Sequence, residues 1–122
     1  MKNNKLIRSL IFFVLLILSL NISSKLKYSM YNLPKGEYIT KSTSPNGVYT
    51  IKLYLCSGNS TVDFSVRGEL ITNSFIKKKK NIYWQYKTDE SNITWITKQR
   101  VLINGTEIKV PDGKYDWRVE NK

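Results

Sequence analysis

The sequence contains no histidine and only one cysteine, Cys56, among its 122 residues. Without a second thiol the chain cannot form an intramolecular disulfide, and without histidine it lacks the commonest general base. A Cys/His metal site and a catalytic Ser–His or Cys–His pair are therefore excluded. A glycine-rich phosphate-binding loop is also missing. We predict no catalytic, cofactor-binding or metal-binding residues, and no cofactor.

Acidic residues are scarce, since nine Asp and Glu stand against 20 Lys and Arg and give a net charge of +11. Three basic residues, Lys2, Lys5 and Arg8, lie in the N-terminal segment. From Lys25 onward 17 basic and nine acidic residues remain, a net charge of +8. A basic surface attracts nucleic acid, anionic lipid or acidic wall polymer. The chain is also rich in Lys, Asn and Ile and contains no Ala, as AT-rich coding would produce. The basic excess thus reflects either composition or an anionic partner.

The N-terminal segment, residues 1–24, has the pattern of an export signal. Positive charges in Met1–Arg8 precede the apolar run Leu10–Leu20, which orients the N-terminus toward the cytoplasm. That run fits the apolar core of a signal peptide. The longer stretch Leu6–Ile22 reaches about 17 residues, the lower limit for crossing a bilayer. The segment is either an uncleaved membrane anchor or a signal peptide cleaved after Ser24. Both alternatives place the rest of the chain outside the cytoplasmic membrane.

Residues 25–35 form the predicted juxtamembrane linker. Its basic and aromatic side chains suit a lipid interface, where Tyr lies at headgroup level and Lys reaches phosphate. An ordinary linker explains the same composition. The residues concerned are Lys25, Lys27, Tyr28, Met30 and Tyr31. The turn-forming residues Pro34, Lys35 and Gly36 close the linker, so we expect the folded domain to occupy residues 36–122.

The stretch Ser42–Leu70 is the predicted centre of that domain. Ser44-Pro45-Asn46-Gly47 predicts a turn, because Pro presets φ while Asn and Gly tolerate positive φ. Apolar and polar residues then alternate along Val48–Leu55 and along Val62–Leu70. This alternation indicates an antiparallel pair with one buried and one solvated face. The side chains predicted for the core are Ile51, Leu53, Phe64, Val66, Trp84 and Trp95.

Further short strands are predicted on both sides of this pair. They cover Glu37–Lys41, Asn81–Lys87, Ile93–Ile96, Val101–Ile103, Thr106–Val110 and Tyr115–Val119. Asn104-Gly105 is the strongest hairpin signal, a type I′ turn. No helix is predicted after Ile22. The fold class is therefore all-β: an antiparallel meander of seven or eight short strands forming a small sandwich or barrel, preceded by one N-terminal apolar helix.

Several motifs along the chain occur together in a family that we recognise. They are TSPNGVYT, TVDFSVRGEL, KKKNIYWQY and the terminal YDWR. With the short apolar N-terminus, this pattern resembles a family of short, membrane-anchored or secreted proteins of unknown function from spore-forming Gram-positive bacteria. The resemblance covers nearly all of residues 36–118. It implies an extracytoplasmic β domain and carries over no catalytic or binding residue.

Possible surface-contact residues lie on the solvated face of the central strands. Lys52 and Tyr54 lie on one strand, and Asp63, Arg67 and Glu69 on the other. Cross-strand ion pairs explain them structurally, whereas a polar groove that holds a ligand would explain them functionally. Asp63 and Glu69 cannot act as a general acid and base, because six residues of strand separate them by about 20 Å.

The run Lys77–Lys80 is the densest basic cluster, and we predict that it lies in a loop. It is either solvated or makes an electrostatic contact with anionic lipid or wall polymer. Alternation places Ile82, Trp84 and Tyr86 on one face and predicts that Tyr54 and Tyr83 are exposed on the other. Exposed aromatics beside lysines resemble single-stranded nucleic-acid platforms. Export to the cell surface argues against a nucleic-acid partner.

Three function classes follow from these features. The first is a non-enzymatic, monomeric cell-envelope module in the membrane, with its C-terminal domain outside (secreted if the signal is cleaved), that binds a partner protein or an anionic envelope component. The second is an accessory or inhibitory protein that regulates a secreted enzyme or membrane complex through its sheet edge or solvated face. The third is a hydrolase with an unrecognised carboxylate site, which the missing histidine and missing paired acids disfavour.

Overall fold

The computed structural model describes residues 2–27, 29–58 and 62–120, without the side chains of residue 2 and of residues 19–27. Helix α1 spans Lys2–Lys27 and exposes its described side chains, from Asn3 to Leu18. Among the described residues, no helix combines the length and apolar character of a membrane span. Of the predicted linker residues, Tyr28 and the side chains of Lys25 and Lys27 lie outside the described part. The anchor remains a prediction.

Five strands form the larger sheet. They are β1 (Glu37–Thr43), β2 (Tyr49–Cys56), β3 (Ser65–Thr72), β4 (Lys78–Tyr86) and β8 (Tyr115–Asp116), in the spatial order β1-β2-β3-β4-β8. The first four strands are antiparallel neighbours, whereas β8 runs parallel to β4. The antiparallel meander predicted from alternation is thus correct for β1–β4, and the parallel β8 departs from it.

The smaller sheet consists of β5 (Ile93–Trp95), β6 (Arg100–Ile103) and β7 (Thr106–Lys109), all antiparallel. It packs against the larger sheet, and both contribute to one apolar core. Its buried members are Ile51, Leu53, Val66, Leu70, Ile82, Tyr83, Val101, Ile103, Ile108 and Val110. The prediction of a mainly β domain behind an N-terminal helix is confirmed. The described strands form two open sheets, and the finer choice between sandwich and barrel stays a prediction.

Both predicted tight turns are present. Gly47 has a φ of 74° and donates its N–H to the Ser44 carbonyl at 2.9 Å, which closes the β1–β2 connection. Asn104 and Gly105 have φ values of 48° and 82°, and Ile103 pairs with Thr106 across them. Two consecutive positive φ values are the signature of a type I′ hairpin turn. The residue types at these positions therefore predicted both turns correctly.

A bulge in β4 changes which aromatic side chains enter the core. Gly68 pairs with Tyr83 and Glu69 pairs with Asn81, so Ile82 has no residue opposite it on β3. An extra residue in one strand reverses the alternation beyond it. Tyr83, predicted to be exposed, is therefore 1% exposed in the core. Trp84, predicted on the same face as Ile82, lies on the opposite face of the sheet.

Two further predictions are wrong at strand ends. Strand β3 begins at Ser65, so Phe64 lies in the preceding loop and is 48% exposed. The predicted strand Tyr115–Val119 stops at Asp116, and helix α2 (Trp117–Glu120) follows. Asp116 accepts a hydrogen bond from the Arg118 N–H at 3.0 Å. A carboxylate that accepts from the second residue of a helix is an N-cap, which stops the strand and starts the helix.

Candidate functional site

Arg67 lies at the centre of the most elaborate polar site in the described chain. Its side chain extends from β3 and the residue is only 5% exposed. Nε and Nη2 donate to the Lys35 carbonyl at 3.2 and 2.8 Å. Nη1 donates to Asn81 Oδ1 at 2.7 Å and to Glu69 Oε2 at 3.3 Å. The guanidinium carbon also lies 4.1 Å from the centre of the Tyr54 ring. These contacts satisfy a buried cation through charge, hydrogen bonds and an aromatic face.

Strand register brings these groups together. Tyr54 and Trp84 are the cross-strand neighbours of Arg67, and in the adjacent row Glu69 pairs with Asn81. Directly opposite side chains on one face of a sheet lie within contact distance. The alternation in β2 and β3 therefore assembles the site on the face that the sequence predicts to be solvated.

The chain that follows α1 covers this face. A 3-10 turn, Met30–Asn32, is capped by Ser29, whose Oγ accepts the Tyr31 N–H at 3.2 Å. Asn81 Nδ2 donates to the Met30 carbonyl at 2.5 Å. Met30 packs with Cys56 and Trp84 in a second, smaller apolar cluster. Part of the predicted linker is therefore packed on the sheet, where it buries Arg67.

A cleft of about 400 Å³ opens beside Arg67. We call it the Arg67 cleft and define it by its lining residues: Met30, Tyr31, Leu33, Lys35, Arg67, Glu69, Lys79, Lys80 and Asn81. The three lysines are exposed, and no ion pair involves them within the described part of the chain. Glu69 is the single acid in the lining, and Arg67 already neutralises it at 3.3 Å. The rim of the cleft therefore carries uncompensated positive charge.

Cys56 lies close to this site but has a structural role. Its Sγ donates to the Pro34 carbonyl at 3.6 Å. Burial raises the pKa of the Cys56 thiol, and the positive charge of Arg67 acts in the opposite direction. A thiol with a raised pKa is mostly protonated at neutral pH and is a poor nucleophile. Cys56 thus contributes packing and one weak hydrogen bond to the covering segment.

The structure separates the residues that the sequence grouped as surface contacts. Tyr54 and Glu69 contact Arg67, and Lys52 lies opposite Glu69 on β2. Asp63 lies outside β3, with its N–H donating to the Tyr86 hydroxyl at 3.2 Å. Arg67, predicted on the solvated face, is buried because residues 29–35 cover that face. In the described residues, no group of three or more His, Cys, Asp or Glu is placed to hold a metal ion.

The predicted loop Lys77–Lys80 is largely strand, since β4 begins at Lys78. All four lysines are nonetheless exposed. Lys35 and Asn81, which complete the site around Arg67, were not predicted from the sequence. Phe75 and Ile76, two exposed apolar residues directly before the lysine run, were not predicted either. Their position in a turn between two alternating runs was the available signal, because core side chains rarely occupy such turns.

Comparison with known protein families gives a match over nearly the whole chain. A family model described as a family of unknown function, DUF5412, matches residues 2–120. The chain belongs to this family. The match begins in α1 and ends in α2, so it includes both the N-terminal helix and the β domain. No curated protein and no solved structure matches the sequence.

Proposed function

We propose that the protein is a non-enzymatic module of the cell envelope that binds an anionic envelope component at the Arg67 cleft. One observation carries this proposal: three exposed lysines line a cleft whose single acid is already paired with Arg67. The lysine ammonium is a flexible point charge with three donors and binds phosphate and carboxylate groups. Lys35, Lys79 and Lys80 act in this proposal as the ligand contacts.

Arg67 has a different part in this proposal. Its donors are already engaged with Lys35, Asn81 and Glu69. It therefore holds the covering segment against the sheet and fixes the shape of the cleft. The lysines on the rim remain available because they make no ion pairs with described residues. This division separates the residues that build the site from those that contact the ligand.

The envelope location is part of the same proposal. A charged start followed by an apolar run supports export and retention of α1 in a membrane. The resemblance to anchored or secreted proteins of spore-forming Gram-positive bacteria agrees with this location. In such an envelope, anionic lipids and wall polymers surround a tethered domain, and a net charge of +8 favours contact with both. The proposal thus links the basic excess to the place where the domain works.

Polyphosphate titration of the full chain in detergent micelles tests this function, with neutral dextran as the control polymer. We expect binding of polyphosphate that weakens as salt rises, because charges separated by more than about 8 Å are screened at physiological ionic strength. The Lys79→Gln/Lys80→Gln variant should bind several-fold more weakly. The matched variant Lys98→Gln/Lys109→Gln loses the same charge from exposed positions elsewhere and should bind like the parent. Equal weakening in both variants would contradict a defined cleft.

A second candidate function rests on the outer edge of β1. This strand is the terminal strand of the larger sheet and is mostly exposed. A free edge can accept a strand from another protein, which suits an accessory or inhibitory role. The irregularity between Tyr38 and Thr40 and the charge of Lys41 weaken this edge as a template. Hydrogen exchange would reveal such a partner as new protection of the β1 amides.

A further inference from the structure

The hairpin tip between β3 and β4 presents two adjacent apolar side chains to solvent. Phe75 is fully exposed and Ile76 is 71% exposed. Single exposed apolar residues are common on protein surfaces, whereas neighbouring large ones at a projecting tip indicate a contact site. We define the tip as residues 73–76.

Hydrogen bonds hold the base of this tip in place. Asn73 donates its N–H to the Val48 carbonyl at 2.8 Å and its Nδ2 to Thr50 Oγ1 at 2.8 Å. Ser74 Oγ donates to the Ile76 carbonyl at 2.5 Å. The tip is thus tied to the neighbouring β1–β2 turn. This anchoring lets Phe75 and Ile76 project from a fixed base.

Positive charge surrounds the tip on both faces of the hairpin. Lys77 follows Ile76 directly, and Lys78, Lys79 and Lys80 pair with Thr72, Ile71 and Leu70 of β3. Successive strand residues point to opposite faces, so Lys79 shares the face of Asn81 and its two neighbours point to the other face. Lys80 still borders the Arg67 cleft from that side. All four are exposed. An apolar tip inside a basic collar is complementary to a bilayer whose headgroups are anionic and whose interior is apolar.

The chain leaving α1 reaches the sheet beside this same hairpin. Met30, three residues beyond the end of α1 at Lys27, accepts a hydrogen bond from Asn81 Nδ2. Asn81 follows Lys80 on β4, and the six residue-to-residue steps from Phe75 to Asn81 span at most about 20 Å. Tyr31, also exposed, lies in the adjoining cleft. A membrane that holds α1 is therefore within reach of the tip.

We propose that Phe75 and Ile76 insert into an anionic lipid bilayer while Lys77–Lys80 contact its headgroups. The tip then forms a second membrane attachment besides α1 and fixes the orientation of the domain. This inference rests on the proposed function only for the location at a membrane. It uses residues outside the ligand contacts of the cleft, apart from the shared Lys79 and Lys80.

A fluorescent NBD probe beside the tip tests the insertion. The probe is attached to the full chain at Ser74→Cys in a Cys56→Ala background, and the chain is reconstituted into phosphatidylglycerol/phosphatidylcholine vesicles or into phosphatidylcholine alone. With anionic lipid we expect a several-fold rise in NBD emission and strong quenching by spin labels carried on the lipid chains. With phosphatidylcholine alone both effects should be much smaller. A probe at Asp89→Cys, beyond the opposite end of β4, should stay water-exposed in both.

Matched variants separate the apolar and the charged contributions. Phe75→Ser/Ile76→Ser should abolish the quenching, whereas Val62→Ser/Phe64→Ser removes two exposed apolar side chains before β3 and should preserve it. Changing all four collar lysines to Gln should remove the dependence on anionic lipid. Changing four other exposed lysines to Gln should retain it: Lys41, Lys87, Lys98 and Lys109.

Two outcomes would overturn the proposal. A probe that stays water-exposed in anionic vesicles shows that the tip does not insert. Bright emission without quenching by the lipid-borne labels places the tip against another protein chain.

Polyphosphate binding by Phe75→Ser/Ile76→Ser at the strength of the parent shows that the cleft works independently. Failure of tip insertion is therefore distinguishable from failure of the proposed function.

Discussion

Gly68 lies directly opposite Tyr83 across β3 and β4, and a Cβ atom added to Gly68 would come 2.8 Å from the Tyr83 Cβ. The same added atom would lie 3.3 Å from Leu53 Cδ2 and 3.6 Å from Ile103 Cδ1. The space that a side chain would occupy is thus filled by residues of both sheets. Gly68 permits the close approach that buries the Tyr83 ring.

Gly68→Ala should therefore lower the free energy of unfolding by about 1–3 kcal/mol, the usual cost of overpacking a core. The Cβ–Cβ contact involves atoms next to the backbone, so relief requires the two strands to move apart. Urea denaturation of the full chain in detergent micelles measures the change. Thr94→Ala, on the exposed side of β5, is the control and should shift stability by less than about 0.5 kcal/mol. A neutral Gly68→Ala would show that β3 and β4 separate easily.

Arg67→Ala should cost about 3 kcal/mol or more, because it leaves Glu69 and the Lys35 carbonyl without their buried partner. The control is Arg100→Ala. Arg100 pairs with Glu107 at 2.7 Å, yet the two side chains are 53% and 44% exposed. Exposed ion pairs contribute about 0–1 kcal/mol. Equal effects of the two substitutions in urea denaturation would refute the structural role assigned to Arg67.

Asn104 should matter through both its backbone and its side chain. Its φ is 48°, and its Nδ2 donates to the Glu90 carbonyl at 2.8 Å and to the Tyr83 hydroxyl at 3.3 Å. Asn104→Ala removes the hydrogen bonds and strains the turn, so we expect a loss of about 1–3 kcal/mol. Asn104→Gly retains the permitted φ and should recover part of this loss. The difference between the two variants measures the backbone contribution.

Alkaline pH should weaken the fold through Tyr83. Burial raises its pKa above the usual 10.0, the hydrogen bond from Asn104 opposes this shift, and the Tyr115 and Glu90 charges add to it. The folded state thus favours the neutral phenol. Its contribution to stability is full below pH 10 and is lost as the pH rises through the raised pKa of the folded chain. Urea denaturation at several pH values should show a shallower alkaline decline for Tyr83→Phe than for the parent.

Membrane retention through α1 is the prediction that tests location. The full chain should remain in the membrane fraction through high-salt and carbonate washes. Leu15→Asp/Leu16→Asp places two charges at the centre of the apolar run, each costing about 2.5–3.5 kcal/mol on insertion, and should release the chain. Leu15→Ala/Leu16→Ala is the uncharged control. A soluble mature form that begins near Lys25 would instead support a cleaved signal.

The sequence was informative wherever local chemistry decides the structure. The turns at Gly47 and Asn104 follow from residues that tolerate positive φ. Alternation in β2 correctly identified Ile51 and Leu53 as core. In each case the residues whose pattern predicts the structure also make the contacts that determine it. Such features need no knowledge of distant partners.

The sequence does not predict the environment of a residue where contacts with a distant segment determine it. Arg67 follows the pattern of a solvated strand residue, and only the return of residues 29–35 buries it. Tyr83 depends on a bulge at Ile82 that alternation does not reveal. Lys35 contributes a backbone carbonyl to the site, a contact that is independent of its side chain. Pattern analysis reports the local environment of a residue and does not register what folds over it.

The covering segment also has a mechanical consequence. Residues 29–35 connect α1 to the sheet, and their backbone carbonyls meet side chains of β2, β3, β4 and α2. Tension on α1 would load the Ser29 and Met30 contacts first and the Lys35–Arg67 contacts last. The contacts of the segment with the sheet would break one residue after another before the force reaches β1. A pull on the helix would thus remove the covering segment, which forms one wall of the Arg67 cleft, before it strains the main core.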